Sequence, residues 1–139
     1  MELSIKDFVN LISQKDLAYG HAHGWLEDED ERFYDKPLDR RTAARIIHNF
    51  MRIELGIPDL SDISAANKLT DLYTCRVCVN HVAQVFLRGI LKSQVIYRDE
   101  KEYEIFNHLD FLTEEEAHKI QEKIRQIYLT CHLKNSDLE

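Results

Sequence analysis

The stretch Leu69–Leu91, LTDLYTCRVCVNHVAQVFLRGIL, decides how the chain is read. It holds the one close cysteine pair, Cys75 and Cys78, a histidine in step with it, His81, and the longest apolar run. From Thr74 to about Leu91, residues Val77, Cys78, Val82, Val85, Phe86 and Leu87 fit a helix that Gly89 breaks near its end. Two readings follow. In one, the stretch is the front of a helical repeat and its cysteines pack as small apolar residues. In the other, Cys75, Cys78 and His81 form a metal or redox site. On a helix 75 and 78 share a face, as do 78 and 81. Thiolates and an imidazole suit zinc, but a closed structural site takes four ligands. There is no second C-x-x-C, and Cys131-His132 complete the set only if the end of the last helix lies beside residue 78. A thioredoxin-like redox pair lacks its flanking βαβ pattern.

Upstream, Ser4 is an N-cap candidate with Asp7 three residues on. Ile5, Phe8, Val9, Leu11, Ile12 and Leu17 give a helical stripe, predicting a helix from Ser4 to about Trp25 with Gly24 closing it. Residues 27 to 37 read as a solvated acidic loop. Asp39 caps the clearest helix of this half, Arg40 to Leu55, with Ala43, Ala44, Ile46, Ile47, Phe50, Met51 and Ile53 on its apolar face. Gly56-Ile57-Pro58 stops it. Downstream, Ser93 to Tyr103 mixes β-branched, aromatic and charged residues, as a short extended excursion or a surface loop. Thr113 and Glu116 form a capping box for a last helix, with Ala117, Ile120, Ile124 and Ile127 spaced three and four apart.

The totals bound the class. The chain of 139 residues is 44% hydrophobic and 31% charged, an ordinary globular composition for one domain. Four glycines and two prolines leave few punctuated turns and favour helices. A net charge of −7 argues against nucleic acid as the main partner. No segment has the pattern of a secretory signal, and no run of about 18 apolar residues spans a membrane. These features, with three cysteines, predict a cytoplasmic chain with reduced thiols, or a cell-surface one only if it is a fragment of an exported protein. No nucleophile elbow, P-loop, Rossmann fingerprint or H-E-x-x-H occurs, so no enzyme activity is expected.

An internal repeat organises these elements. Ile5-Lys6-Asp7-Phe8 matches Leu69-Thr70-Asp71-Leu72, Gly24-Trp25-Leu26 matches Gly89-Ile90-Leu91, and Leu38-Asp39-Arg40-Arg41-Thr42-Ala43 matches Leu112-Thr113-Glu114-Glu115-Glu116-Ala117. Two such units, about 4–58 and 59–133, share one core within a single domain spanning 1–139. The unit resembles the S-layer homology repeat, whose pattern is F-x-D, then W-A-x-x-A-I-x-x-L-x-x-x-G-I-I, a loop, and I-T-R-A-E. Leu69 and Asp71 stand at F-x-D, Val77-Cys78 at W-A, His81-Val82 at A-I, and Gly89-Ile90-Leu91 at G-I-I. Leu112 to Glu116 stand at I-T-R-A-E, and Leu38 to Thr42 hold that place in the first unit, keeping the arginine as Arg40. The second unit has Glu114 there instead, and both units lack the tryptophan of W-A.

That resemblance implies an all-α fold of two tandem helix-loop-helix repeats. It implies a non-catalytic binding module of bacterial type, whose partner is an anionic cell-wall polymer or another protein. Its expected contacts are Arg40, with Arg41 and Arg45 near it, and Trp25 at a loop edge. A two-repeat unit leaves apolar helix surface uncovered, which predicts a homodimer. No cofactor is expected on this reading. The alternative is a small metal- or thiol-responsive protein using Cys75, Cys78 and His81, with zinc as the metal.

Overall fold

Ser4 starts the first helix by accepting the Asp7 N–H on its hydroxyl oxygen at 3.1 Å, and α1 runs Ile5–Ser13. In this computed structural model residues 2–137 are described, with side chains described as far as His132. The helix does not continue to Trp25 as its stripe predicts. Gln14 adopts a left-handed conformation, φ 58°, and Asp16 caps a separate helix α2, Leu17–Ala22, by accepting the Tyr19 N–H at 2.8 Å. No apolar residue falls between Ile12 and Leu17, and the Asp16 side chain competes for the backbone amides there.

The chain then reverses on Gly20, whose carbonyl accepts the N–H groups of both Trp25 and Leu26, at 3.1 and 3.2 Å. Gly24 makes the turn at φ 84°. The corner at Gly89 is built alike: φ is 72°, and Ile90 and Leu91 both donate to the Val85 carbonyl. A Cβ placed on Gly20 would lie 2.6 Å from Leu26 Cδ1 and 3.0 Å from the Trp25 ring. Overpacking of that kind costs about 1–3 kcal/mol, against a gain of just under 1 kcal/mol in helix propensity. Gly20→Ala is therefore expected to lose about 1 kcal/mol net, read from the urea midpoint at unchanged m. An unchanged or higher midpoint would mean that Leu26 rotates away freely.

The acidic run is not a solvated loop. It forms a short helix α3, Asp28–Arg32, that turns Asp30 inward. Asp39 caps α4, Arg40–Asn49, through the Thr42 N–H at 2.7 Å. The next turn, Phe50–Glu54, widens to π geometry, with Leu55 N–H donating to Phe50 O. Three 3₁₀ turns, Ser64–Lys68, Leu72–Thr74 and Arg76–Cys78, lead to α5, Val79–Leu87. The helix expected from Thr74 thus starts five residues later, because Cys75 is extended, φ −125° and ψ 104°.

The all-α expectation is overturned by the segment after α5. Strands β1, Gln94–Arg98, and β2, Lys101–Ile105, pair antiparallel in a two-stranded sheet with Arg98 opposite Lys101. The fold is mixed and mostly helical. Asp99 and Glu100 carry φ of 52° and 63°, the two positive values that a two-residue hairpin turn demands. The hairpin is tied down by Asp71, whose carboxylate accepts the N–H groups of Phe106 and Asn107 at 2.7 Å each. The last helix, α6, Glu114–Asp137, opens on the capping box: Glu116 N–H donates to Thr113 Oγ1 and Thr113 N–H to Glu116 Oε1.

The capping segments lie side by side and close the molecule. Leu38 N–H donates to Leu3 O, and Leu112 N–H donates to Leu38 O at 2.8 Å. One core runs through both halves, from Phe8, Trp25 and Ile46 to Val82, Phe106 and Ile120. Among the described residues no helix is long and apolar enough to cross a membrane.

Candidate functional site

Arg40 and Trp25, expected at a ligand surface, are buried. Arg40 is 1% exposed. Its Nε donates to Phe106 O at 2.8 Å, Nη1 to Glu116 Oε2 at 2.9 Å and Nη2 to Lys92 O, and its plane lies over the Phe106 ring at 4.9 Å. Burial holds the guanidinium below its usual pKa, opposed by Glu116 and Asp110. Arg40 joins the start of α4 to the hairpin and to α6, and a polymer outside cannot reach it. Arg45 grips Asp30 with both Nη atoms, at 2.8 and 2.7 Å. Desolvation alone would lower the Arg45 pKa, and the Asp30 hydrogen bonds and charge reverse that. Trp25 is fully buried, edge-on to Phe50 at 5.0 Å, and its Nε1 has no partner. Gly20 and the two hydrogen bonds that its carbonyl accepts turn the ring inward, where the sequence pattern places it on a loop edge. Arg41 is half-buried, its backbone N–H spent on His108 O.

The other cluster is brought together. Cys75 and Cys78 are joined in a disulfide, Cα–Cα 5.2 Å, and Cys131 is free. This corrects the expectation of three reduced thiols. Cys78 is the N-cap residue of α5 and packs partly against the core, while Val77 between the cysteines is 88% exposed and Tyr73 just before them is 63% exposed. His81 lies in the first turn of α5.

His81 does not face solvent alone. Its Nδ1 lies 2.8 Å from Nδ1 of His48, which is 4% exposed on α4. His48 Nε2 in turn lies 2.7 Å from Asp59 Oδ1, and Asn80 Nδ2 donates to the other Asp59 oxygen at 3.1 Å. Desolvation raises the Asp59 pKa, but the hydrogen bonds from His48 and Asn80 outweigh it and hold the carboxylate ionised below the usual range. With Asp59 ionised, His48 Nε2 carries the proton. Burial, with Arg45 and Arg52 nearby, pushes His81 down to about 4. It is therefore neutral at pH 7.

Sequence reasoning missed His48 and Asp59. One signal was present for the first: His48 continues the apolar stripe of Ala44, Ile47 and Met51 at spacings of four and three, where a polar residue needs a partner. Asp59 had none, because the π turn and Gly56, φ 67°, bring it back onto α4. His21 and His23 are exposed, His21 between Asp28 and Glu31 and His23 on the Tyr19 carbonyl. A surface groove of about 510 Å³ between α1 and α2, lined by Lys6, Asp7, Lys15 and Asp16, lies on different elements from these groups. Among the described residues no three His, Cys, Asp or Glu side chains are gathered so as to hold a metal ion. Compared with family models, with curated proteins and with solved structures, the chain matches none.

Proposed function

We propose that this protein is a thiol–disulfide-responsive interaction module whose Cys75–Cys78 pair exchanges with a dithiol on a protein partner. The observation that carries this reading is the disulfide itself, closing a C-x-x-C turn at the start of α5 beneath an exposed Val77 and Tyr73. Exposed apolar residues beside a reactive pair suit contact with another protein. The binding surface of Arg40 and Trp25 has no comparable support, since both are buried.

The exchange balances as follows. A partner thiolate attacks Cys75 Sγ, the S–S bond breaks, and its electron pair goes to Cys78 Sγ. The second partner thiolate attacks the mixed disulfide and releases Cys75 as a thiolate. Two electrons pass to the protein, which binds two protons as its thiols form, and the partner is left as a disulfide. Cys75 is the attacked sulfur because Cys78 packs against the core. Cys78 is the leaving sulfur because the amides at the start of a nine-residue helix stabilise its thiolate.

The test is a pair of single-cysteine variants of the folded protein. In Cys78→Ser, Cys75 is expected to react with a small aromatic disulfide about tenfold or more faster than Cys78 does in Cys75→Ser, through its greater access. Equal rates, or a faster Cys78, would remove the assignment of roles.

A further inference from the structure

We propose that the reduced protein binds one divalent cation of the zinc class, with Cys75 Sγ, Cys78 Sγ, His81 Nδ1 and His48 Nδ1 as its four ligands. The inference rests on the Cys75–Cys78 pair being reducible, and it adds His48 from a separate helix.

The two imidazoles already meet through the atoms that would bind. Their Nδ1 atoms are 2.8 Å apart, with ring planes inclined by 64°. Across a tetrahedral zinc with bonds of 2.0–2.1 Å the same atoms stand about 3.3 Å apart. An opening of about half an ångström therefore admits the metal where one proton now sits. The His48 ring is set for this by Asp59: a carboxylate on Nε2 keeps the proton there, leaves the Nδ1 lone pair free and raises its basicity. The His81 proton shifts to Nε2 when Nδ1 takes the metal. Cys78 and His81 are three apart at the start of α5, so they lie on one helix face, and the disulfide shows that Cys75 reaches Cys78. Two cysteines and two histidines are a common zinc ligand set.

A dithiol or phosphine reductant supplies two electrons and the disulfide becomes two thiols. Binding of the cation then releases two protons, one from each thiol, and the four-ligand complex is neutral at the metal. Oxidation of the sulfurs removes two ligands and ejects the cation. The disulfide and the cation are therefore alternative occupants of one site.

The experiment uses cobalt(II) and zinc on chelator-stripped protein. The protein is reduced by a phosphine in denaturant and refolded, so that slow reduction of the native disulfide does not affect the result. One cobalt per chain is expected, with the intense visible bands of a tetrahedral sulfur–nitrogen site, displaced by zinc and absent from oxidised protein. His48→Gln and Asp59→Asn are each expected to weaken zinc binding about tenfold or more, with helical circular dichroism unchanged. Asp59 is part-exposed, so its variant keeps the test alive should His48→Gln unfold. Failure of reduced, folded protein to bind cobalt, a weak octahedral spectrum, or unchanged affinity in a folded variant would overturn the proposal. None of those results would bear on thiol–disulfide exchange, which is measured without metal.

Discussion

Arg40→Ala is expected to lower the unfolding free energy by about 3–5 kcal/mol. The substitution strands Phe106 O, Lys92 O and part of the Glu116 carboxylate together, and it empties the space over the Phe106 ring. Leaving buried acceptors without donors costs more than the ion pair itself is worth. Arg40→Lys keeps the charge but not the fork that reaches three acceptors in three directions, so it recovers only part of the loss. Thermal unfolding gives the direct reading, a midpoint lower by about 10–15 °C for Arg40→Ala. A drop of only 1–2 °C would return Arg40 to the surface role that the resemblance to S-layer homology repeats implies.

Trp25→Ala is expected to cost about 3–5 kcal/mol, because the ring is fully buried against Gly20 of α2 and Phe50 of the π turn and alanine leaves a cavity. Trp25→Phe is the informative partner. It removes apolar contact, but it also removes a buried Nε1–H that has no acceptor. An unsatisfied donor costs about 1–3 kcal/mol, comparable to the lost area, so phenylalanine is expected to fall within about 1 kcal/mol of the native protein. Denaturant titration of both variants separates the terms. A Trp25→Phe loss close to that of alanine would mean that Nε1 bonds to an ordered water.

These two residues also show what can be seen in the chain beforehand. The N-caps Ser4 and Asp39, and the Thr113–Glu116 box, are legible because each is a local side chain bonding a backbone N–H three residues away. The repeated Gly24 and Gly89 corners are legible because a left-handed residue there favours glycine. The hairpin is not, because Asp99-Glu100 takes a turn usually announced by Asn-Gly, and Asp71 secures it from 35 residues away. Arg40 and Trp25 carry residue types associated with surfaces, and only long-range partners draw them inside. For the candidate site, Cys75, Cys78 and His81 stand out by spacing. His48 and Asp59 enter through packing of α4 on α5 and the π turn after α4, neither of which leaves a local mark.

The magnitudes divide the molecule into two kinds of region. Arg40, Asp71 and the Asp30–Arg45 pair are satisfied within the fold, and changing them costs stability. The Cys75–Cys78 turn spends little on the core, and Val77 and Tyr73 leave it open to a partner. Chemistry that acts on the sulfurs can therefore proceed while the rest stays folded, as a reversible switch requires.

One measurement tests this most directly. Native Cys131→Ser protein is equilibrated in dithiol–disulfide buffers of graded potential, quenched with a maleimide and weighed intact. A single two-electron transition is predicted, from no adducts to two, with circular dichroism unchanged through it. Adducts that appear only when the protein unfolds, or two adducts at every potential, would contradict a reversible Cys75–Cys78 switch.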